Sequence, residues 1–190
     1  VTGVKALELF KDYNLVVTRG ATFDAEPNDR VGAGQDLGAA GVVLGALEQG
    51  GQEDWFLFVA NPGDAMQITT ATPAGGNGHF VNVLDPAVEL YDLEGTLLAS
   101  DTDGAPDGRN ASLSHTLVAA GVYAVRVYGE GNTNGEYVLT VDGHTGGDLP
   151  FLVTEADPAD GAVLSTVPTD LTLDFSLTVN ADSIEPTDVT

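Results

Sequence analysis

The feature that most limits what this chain can fold into is the run Gln52-Glu-Asp-Trp-Phe-Leu-Phe-Val-Ala60. Successive side chains of a strand point to opposite faces. Here both alternating sets are apolar, with Trp55, Leu57 and Val59 on one face and Phe56, Phe58 and Ala60 on the other. A run with no polar face reads as a central strand buried on both sides. Two acids, Glu53 and Asp54, stand at its mouth. Upstream, Asp24-Ala-Glu-Pro-Asn-Asp29 forms a second acidic knot, too rich in turn formers for helix or sheet. The segment carrying this knot is expected to fold back onto the mouth of the strand.

The rest of the chain supplies partners for such a strand. Further strands are expected at 42–47, 65–72, 88–92, 96–100, 112–118, 121–128 and 136–141. Turn formers separate them, at Asn61-Pro-Gly-Asp64, Leu93-Glu-Gly95 and Gly131-Asn-Thr-Asn-Gly135. Eight short strands without helical periodicity predict an all-β fold, an antiparallel β-sandwich of jelly-roll type. In 122–128 the charge of Arg126 sets the orientation. Val122, Ala124, Arg126 and Tyr128 are expected to face out, and Tyr123, Val125 and Val127 to face the core.

The chain divides into four parts. Residues 21–143 hold the strand series. Residues 144–150 read as a linker by composition. Residues 151–190 carry too few strands for a sandwich and are expected to begin a second β domain. Residues 1–20 are expected to end a preceding, similar domain, because Asp12-Tyr-Asn-Leu-Val-Val17 repeats the pattern of Glu136-Tyr-Val-Leu-Thr-Val141. On this reading the chain is an excerpt of a longer protein.

Charge narrows the partners. Twenty-nine acids against 6 basic residues give a net charge of −23. Such a surface repels phosphate backbones and anionic lipid, so nucleic acid and membrane partners are disfavoured. It suits divalent cations, high salt or the extracellular space, although charge also serves solubility alone. Cysteine is absent, which removes disulfides, zinc thiolates and thiol nucleophiles. No apolar run approaches the roughly 20 residues of a membrane helix.

Catalysis finds little support. Ser112 and Ser114 fall on the face opposite His115, no Gly-x-Ser-x-Gly elbow exists, and His79 and His144 lie far apart in sequence. The acidic knot is different. Asp24, Glu26 and Asp29 with Asn28 offer several hard oxygens within six residues, the ligand type calcium prefers. The alternative is that Asn28 and Asp29 cap a turn while Glu26 is solvated. Asp101-Thr-Asp-Gly104 with Asp107 resembles a calcium loop, but Ser112 stands where the twelfth-position acid is needed, so it reads as a hairpin loop.

In order along the chain stand Glu26-Pro-Asn-Asp29, Asp54-Trp-Phe-Leu-Phe58, Val88-Glu-Leu-Tyr-Asp-Leu-Glu-Gly-Thr-Leu-Leu98, Gly121-Val-Tyr-Ala-Val-Arg-Val-Tyr-Gly129 and Gly135-Glu-Tyr-Val-Leu-Thr-Val141. Together they resemble the bacterial pre-peptidase C-terminal (PPC) domain over about 24–143. Residues 151–190 are similar to the opening of a bacterial Ig-like domain, on Pro158-Ala-Asp-Gly161 and Leu171-Thr-Leu-Asp-Phe-Ser176. The resemblance implies a jelly-roll-like sandwich in a secreted or cell-surface protein, non-catalytic itself and set among catalytic or adhesive modules. It implies calcium held by the 24–29 segment together with acids before the aromatic strand, a contribution that Asp54 matches and Glu53 extends. Gln52 and Gly51 stand where related collagen-binding domains are more acidic, and Ala124 stands where relatives often carry tyrosine. Two alternatives follow from the family: an accessory region of a secreted, subtilase-like peptidase, and a module binding collagen or polysaccharide. For the latter, Trp55, Arg126 and Tyr128 are the candidate ligand face. The remaining partners are neighbouring domains of the same chain.

Overall fold

A computed structural model describes residues 15–74, 80–150, 153–159 and 162–175. Two five-stranded sheets pack face to face, and they are built from β1 (Thr22–Phe23), β2 (Gln35–Asp36), β3 (Val42–Leu47), β4 (Glu53–Ala60), β5 (Ala65–Ala71), β6 (Pro86–Asp92), β7 (Leu97–Asp101), β8 (Ser112–Thr116), β9 (Gly121–Gly129) and β10 (Gly135–Asp142). The first sheet has the order β1-β3-β10-β5-β8 and the second β2-β4-β9-β6-β7. A separate antiparallel pair joins β11 (Val153–Asp157) to β12 (Thr172–Phe175). All eight expected strands of the sandwich form, with ends moved by one or two residues.

Two features depart from a simple antiparallel sandwich. The short strands β1 and β2 run parallel to β3 and β4. They flank the acidic knot, so the segment from 22 to 36 leaves the edge of one sheet and joins the edge of the other. The middle strand of the second sheet is β9, with β4 beside it. β4 is nonetheless buried on both faces, as its composition requires. Phe56, Phe58 and Ala60 enter the core between the sheets, while Leu57 lies beneath a smaller apolar cluster outside.

That outer cluster corrects the expectation for β9. Val122 and Ala124 point away from the core, but they are covered and not exposed. What covers them is the 144–150 segment, which is no free tether. Leu149 is 4% exposed and packs on Leu57, Val122 and Ala124. Thr145 donates to Asp64 Oδ2 from its N–H (2.7 Å) and to Oδ1 from its hydroxyl (2.7 Å). Gly146 lies so close to Val59 that a Cβ would have no room. A single apolar residue in a polar stretch suffices to dock it, because the outer face of β4 and β9 has apolar area to cover.

At the N-terminal side, Leu15–Val17 form no strand, and Leu15 and Val17 are exposed. Residues 1–14, which hold most of the stretch expected to end a preceding domain, lie outside the described residues.

Within the first sheet, a core side chain closely overlies the neighbouring strand. Tyr137 of β10 is fully buried, and its ring crosses β3 at Gly45. A Cβ at Gly45 would overlap the tyrosine ring. Overpacking of this kind costs on the order of 1–3 kcal/mol. Gly45→Ala should therefore lower the unfolding free energy by that order, as read by equilibrium urea unfolding.

Candidate metal centre

Alternation along β4 decides which acid reaches the interior. Asp54 shares the inward face with Phe56 and is 1% exposed. Burying a lone carboxylate is costly unless it is neutralised or well bonded. Tyr137, reaching across from the first sheet, donates its hydroxyl to Asp54 Oδ2 in a very short contact. Sequence reasoning missed Tyr137; its signal was the glycine opposite it in β3, legible only once the register Tyr137–Gly45 is known.

The knot closes over this carboxyl. Asp24 N–H donates to Leu44 O (3.0 Å), and Trp55 N–H donates to Asn28 O (2.8 Å), so the segment is tied to both sheets. Gln35 adds a clamp, accepting from Ala25 N–H at 2.7 Å and donating to Phe23 O at 2.9 Å. Within the knot Asn28 N–H donates to Glu26 Oε2 (3.1 Å) and Asn28 Nδ2 to Asp24 Oδ1 (2.7 Å). Carboxylate oxygens of Asp24, Glu26 and Asp54 come within 4.8 Å of one another. Asn28 is fully buried, and its Oδ1 has no hydrogen-bond partner among the described residues.

The electrostatics follow from this crowding. Burial, with the charges of Asp24 and Glu26, pushes the Asp54 carboxyl up to about 7, against the lowering effect of the Tyr137 hydroxyl. Burial also raises Asp24, the Asn28 amide opposing and Glu26 adding. Burial and the Asp54 charge push the Tyr137 hydroxyl well above its ordinary value. The cluster therefore retains a proton near neutrality in the absence of a cation. Its donor set is all oxygen, and an orphaned buried amide oxygen accompanies it. That chemistry fits a hard divalent ion such as calcium, with Asp24, Glu26, Asp54 and Asn28 as ligands and water or backbone oxygens completing a shell of six to eight.

Two expected ligands are elsewhere. Asp29 is exposed and outside the cluster. Glu53 lies on the opposite face of β4, since neighbours in a strand diverge. It accepts from Trp55 Nε1 (3.0 Å) and Arg126 Nε (2.7 Å). This outer face carries Trp55, Arg126 and Tyr128 together. The Arg126 guanidinium lies 4.6 Å from the Tyr128 ring centroid and 5.9 Å from that of Trp55. It also pairs with Glu89 at 2.8 Å, whose carboxylate accepts from Tyr91 at 2.6 Å. Arg126 is thus neutralised by two carboxylates.

The 101–107 loop has a structural account. Asp101 Oδ2 accepts from Gly104 N–H and Ser112 N–H, and Asp107 caps Arg109 and Asn110, so both acids close turns. Asp103, exposed, approaches the half-buried Asp85 and Glu130 instead. Ser112 and Ser114 both bond Gln67 and not His115.

No protein-family model matches this sequence, and no curated protein does. Among solved structures, the chain is similar to the pre-peptidase C-terminal domain of a collagenase from Bacillus anthracis, at 17% identity and TM-score 0.46, covering 63% of this chain and 100% of that one. It is also similar to Aeromonas hydrophila PliG, a periplasmic inhibitor of g-type lysozyme, at 13% identity and TM-score 0.36, covering 53% and 84%.

The raised Asp54 value has a definite sign. A carboxyl at 3.8 in the unfolded chain and about 7 in the folded one makes the folded state bind more protons between those values. In chelator, stability should fall as pH rises from about 4 to above 7. Asp54→Asn keeps an acceptor for Tyr137 and cannot ionise. The variant should match the wild type near pH 4 and exceed it near pH 8, by an amount on the order of a few kcal/mol. Parallel urea titrations across that range check the difference, which cancels the general repulsion of an acidic surface.

Proposed function

We propose that this chain is a non-catalytic, calcium-binding β-sandwich module of an exported protein, which stabilises and spaces the domains beside it. The observation that carries the reading is the buried Asn28 Oδ1, without a partner among the described residues, beside three converging carboxylates. A folded protein rarely leaves a buried acceptor unmet, so the orphan calls for a cation or water. Asp24, Glu26 and Asp54 would supply charge, and Asn28 a neutral oxygen. A bound calcium would replace the proton on Asp54, relieve the repulsion, and lock the knot that ties β1 and β3 to β2 and β4.

The outer face gives weaker support to a collagen or polysaccharide site. Trp55 and Tyr128 are half-buried against Arg126, and Leu149 covers the neighbouring apolar area. The peptidase-accessory reading concerns sequence outside this chain and is compatible with the same module.

The test is calcium-specific stabilisation. An ion that binds only the folded state stabilises it by about 2.7 kcal/mol at roughly 100 times its dissociation constant. Millimolar-range calcium should raise the melting temperature and change the emission of Trp55, whose backbone N–H bonds Asn28. Magnesium should act less, because it demands compact octahedral geometry. Asp54→Asn and Glu26→Gln should each remove most of the shift, while Asp107→Asn should leave it. An equal rise in sodium chloride of matched ionic strength would reduce the effect to charge screening and end the calcium reading.

A further inference from the structure

The described residues after β10 hold more contacts with the sandwich than a tether needs. The chain is fixed first at Thr145, whose N–H and hydroxyl both bond Asp64, while Asn61 Nδ2 donates to Thr145 O at 2.9 Å. Hydrogen bonds from Asn61 and Thr145 hold the Asp64 carboxyl below its usual range. The chain is fixed again at Leu149, buried on Leu57, Val122 and Ala124. Val153, the start of β11, follows four residues later, within roughly 14 Å of that anchor even if fully extended.

A second line of contact comes from the opposite direction. The 3-10 turn at Val31–Ala33 follows the acidic knot directly, and Val31 belongs to the same outer cluster as Leu149. Both β11 and β12 lie against this turn. Arg30, immediately before it, pairs with Asp174 of β12 at 2.7 Å. The turn itself is pinned to β4, for Gly34 packs on Leu57 and Leu37 N–H donates to Leu57 O. The joint is therefore made from two sequence-distant segments that meet on Leu57.

We propose that the sandwich and the β11–β12 unit form one rigid body, seated on the outer face of the second sheet through Leu149 and the Val31–Ala33 turn. The module then fixes the direction in which the next domain departs. The occupant of this face is the following domain of the same chain, whose first described strands already lie against the turn. This rests on the spacing part of the proposed function and not on calcium. An exposed ion pair contributes little by itself. Adhesion comes mainly from the apolar cluster, and Arg30–Asp174 sets its register, so that a like charge at either end would oppose the seat.

The experiment is amide 15N relaxation on the whole 190-residue chain, in chelator, so that a failure of calcium binding does not affect it. Residues of β4, β9 and β10 should share one rotational correlation time with residues of β11 and β12. A shorter time for β11 and β12 in the unaltered chain would overturn the proposal. Leu149→Ser should separate the two times while the sandwich amides stay dispersed. Should that variant loosen the sandwich itself, Arg30→Asp, which faces Asp174 with a like charge, should separate them, and adding Asp174→Arg should restore a single time. A single time retained in both Leu149→Ser and Arg30→Asp would show that the seat is not made by these contacts.

Discussion

A carboxyl group held between two β-sheets governs much of this molecule. Asp54 sits on the otherwise apolar inward face of β4, and the fold surrounds it with a tyrosine hydroxyl, two more carboxyls and an amide. None of these is a basic residue. In a low-dielectric interior such a group must be neutralised by a proton or a cation, since uncompensated charge there costs far more than at the surface. The sandwich thus carries a site whose charge state is coupled to its own cohesion. The knot that completes the site is also the strap that ties the edges of both sheets, through the bonds of Asp24 to Leu44 and Asn28 to Trp55.

The opposite face of the same strand solves its charge problem differently. Glu53 and Glu89 flank Arg126, and the rings of Trp55, Tyr91 and Tyr128 surround the three. Here each acid has a basic partner, so no outside ion is called for. Cross-strand register does this work: Trp55 and Glu89 both lie opposite Arg126, on β4 and β6 respectively. Two adjacent acids, Glu53 and Asp54, therefore have unlike fates because a strand sends them to opposite sides. The outer face is further occupied by Leu149 and Val31, which makes the module's surface a junction between segments as much as a surface for ligands.

By itself the sequence determined the strands of the sandwich and their turns, because period-two burial and turn chemistry are local properties read within a few residues. It also determined that β4 would be buried on both faces, that Asp24, Glu26 and Asn28 would be close together, and that Arg126 would lie away from the core. Tertiary structure decided everything that depends on which strand meets which. It excluded Glu53 from the cluster, left Asp29 in solvent, and brought in Tyr137, whose place opposite Gly45 depends on pairing across more than ninety residues. It ran β1 and β2 parallel to their neighbours, which no local pattern encodes. It turned a stretch with linker composition into a docked strap, because one leucine found the apolar face of β4 and β9 uncovered. Composition records what a segment can do alone; the free energy of burying Leu149 or Asp54 belongs to surfaces that exist only after the sheets have formed.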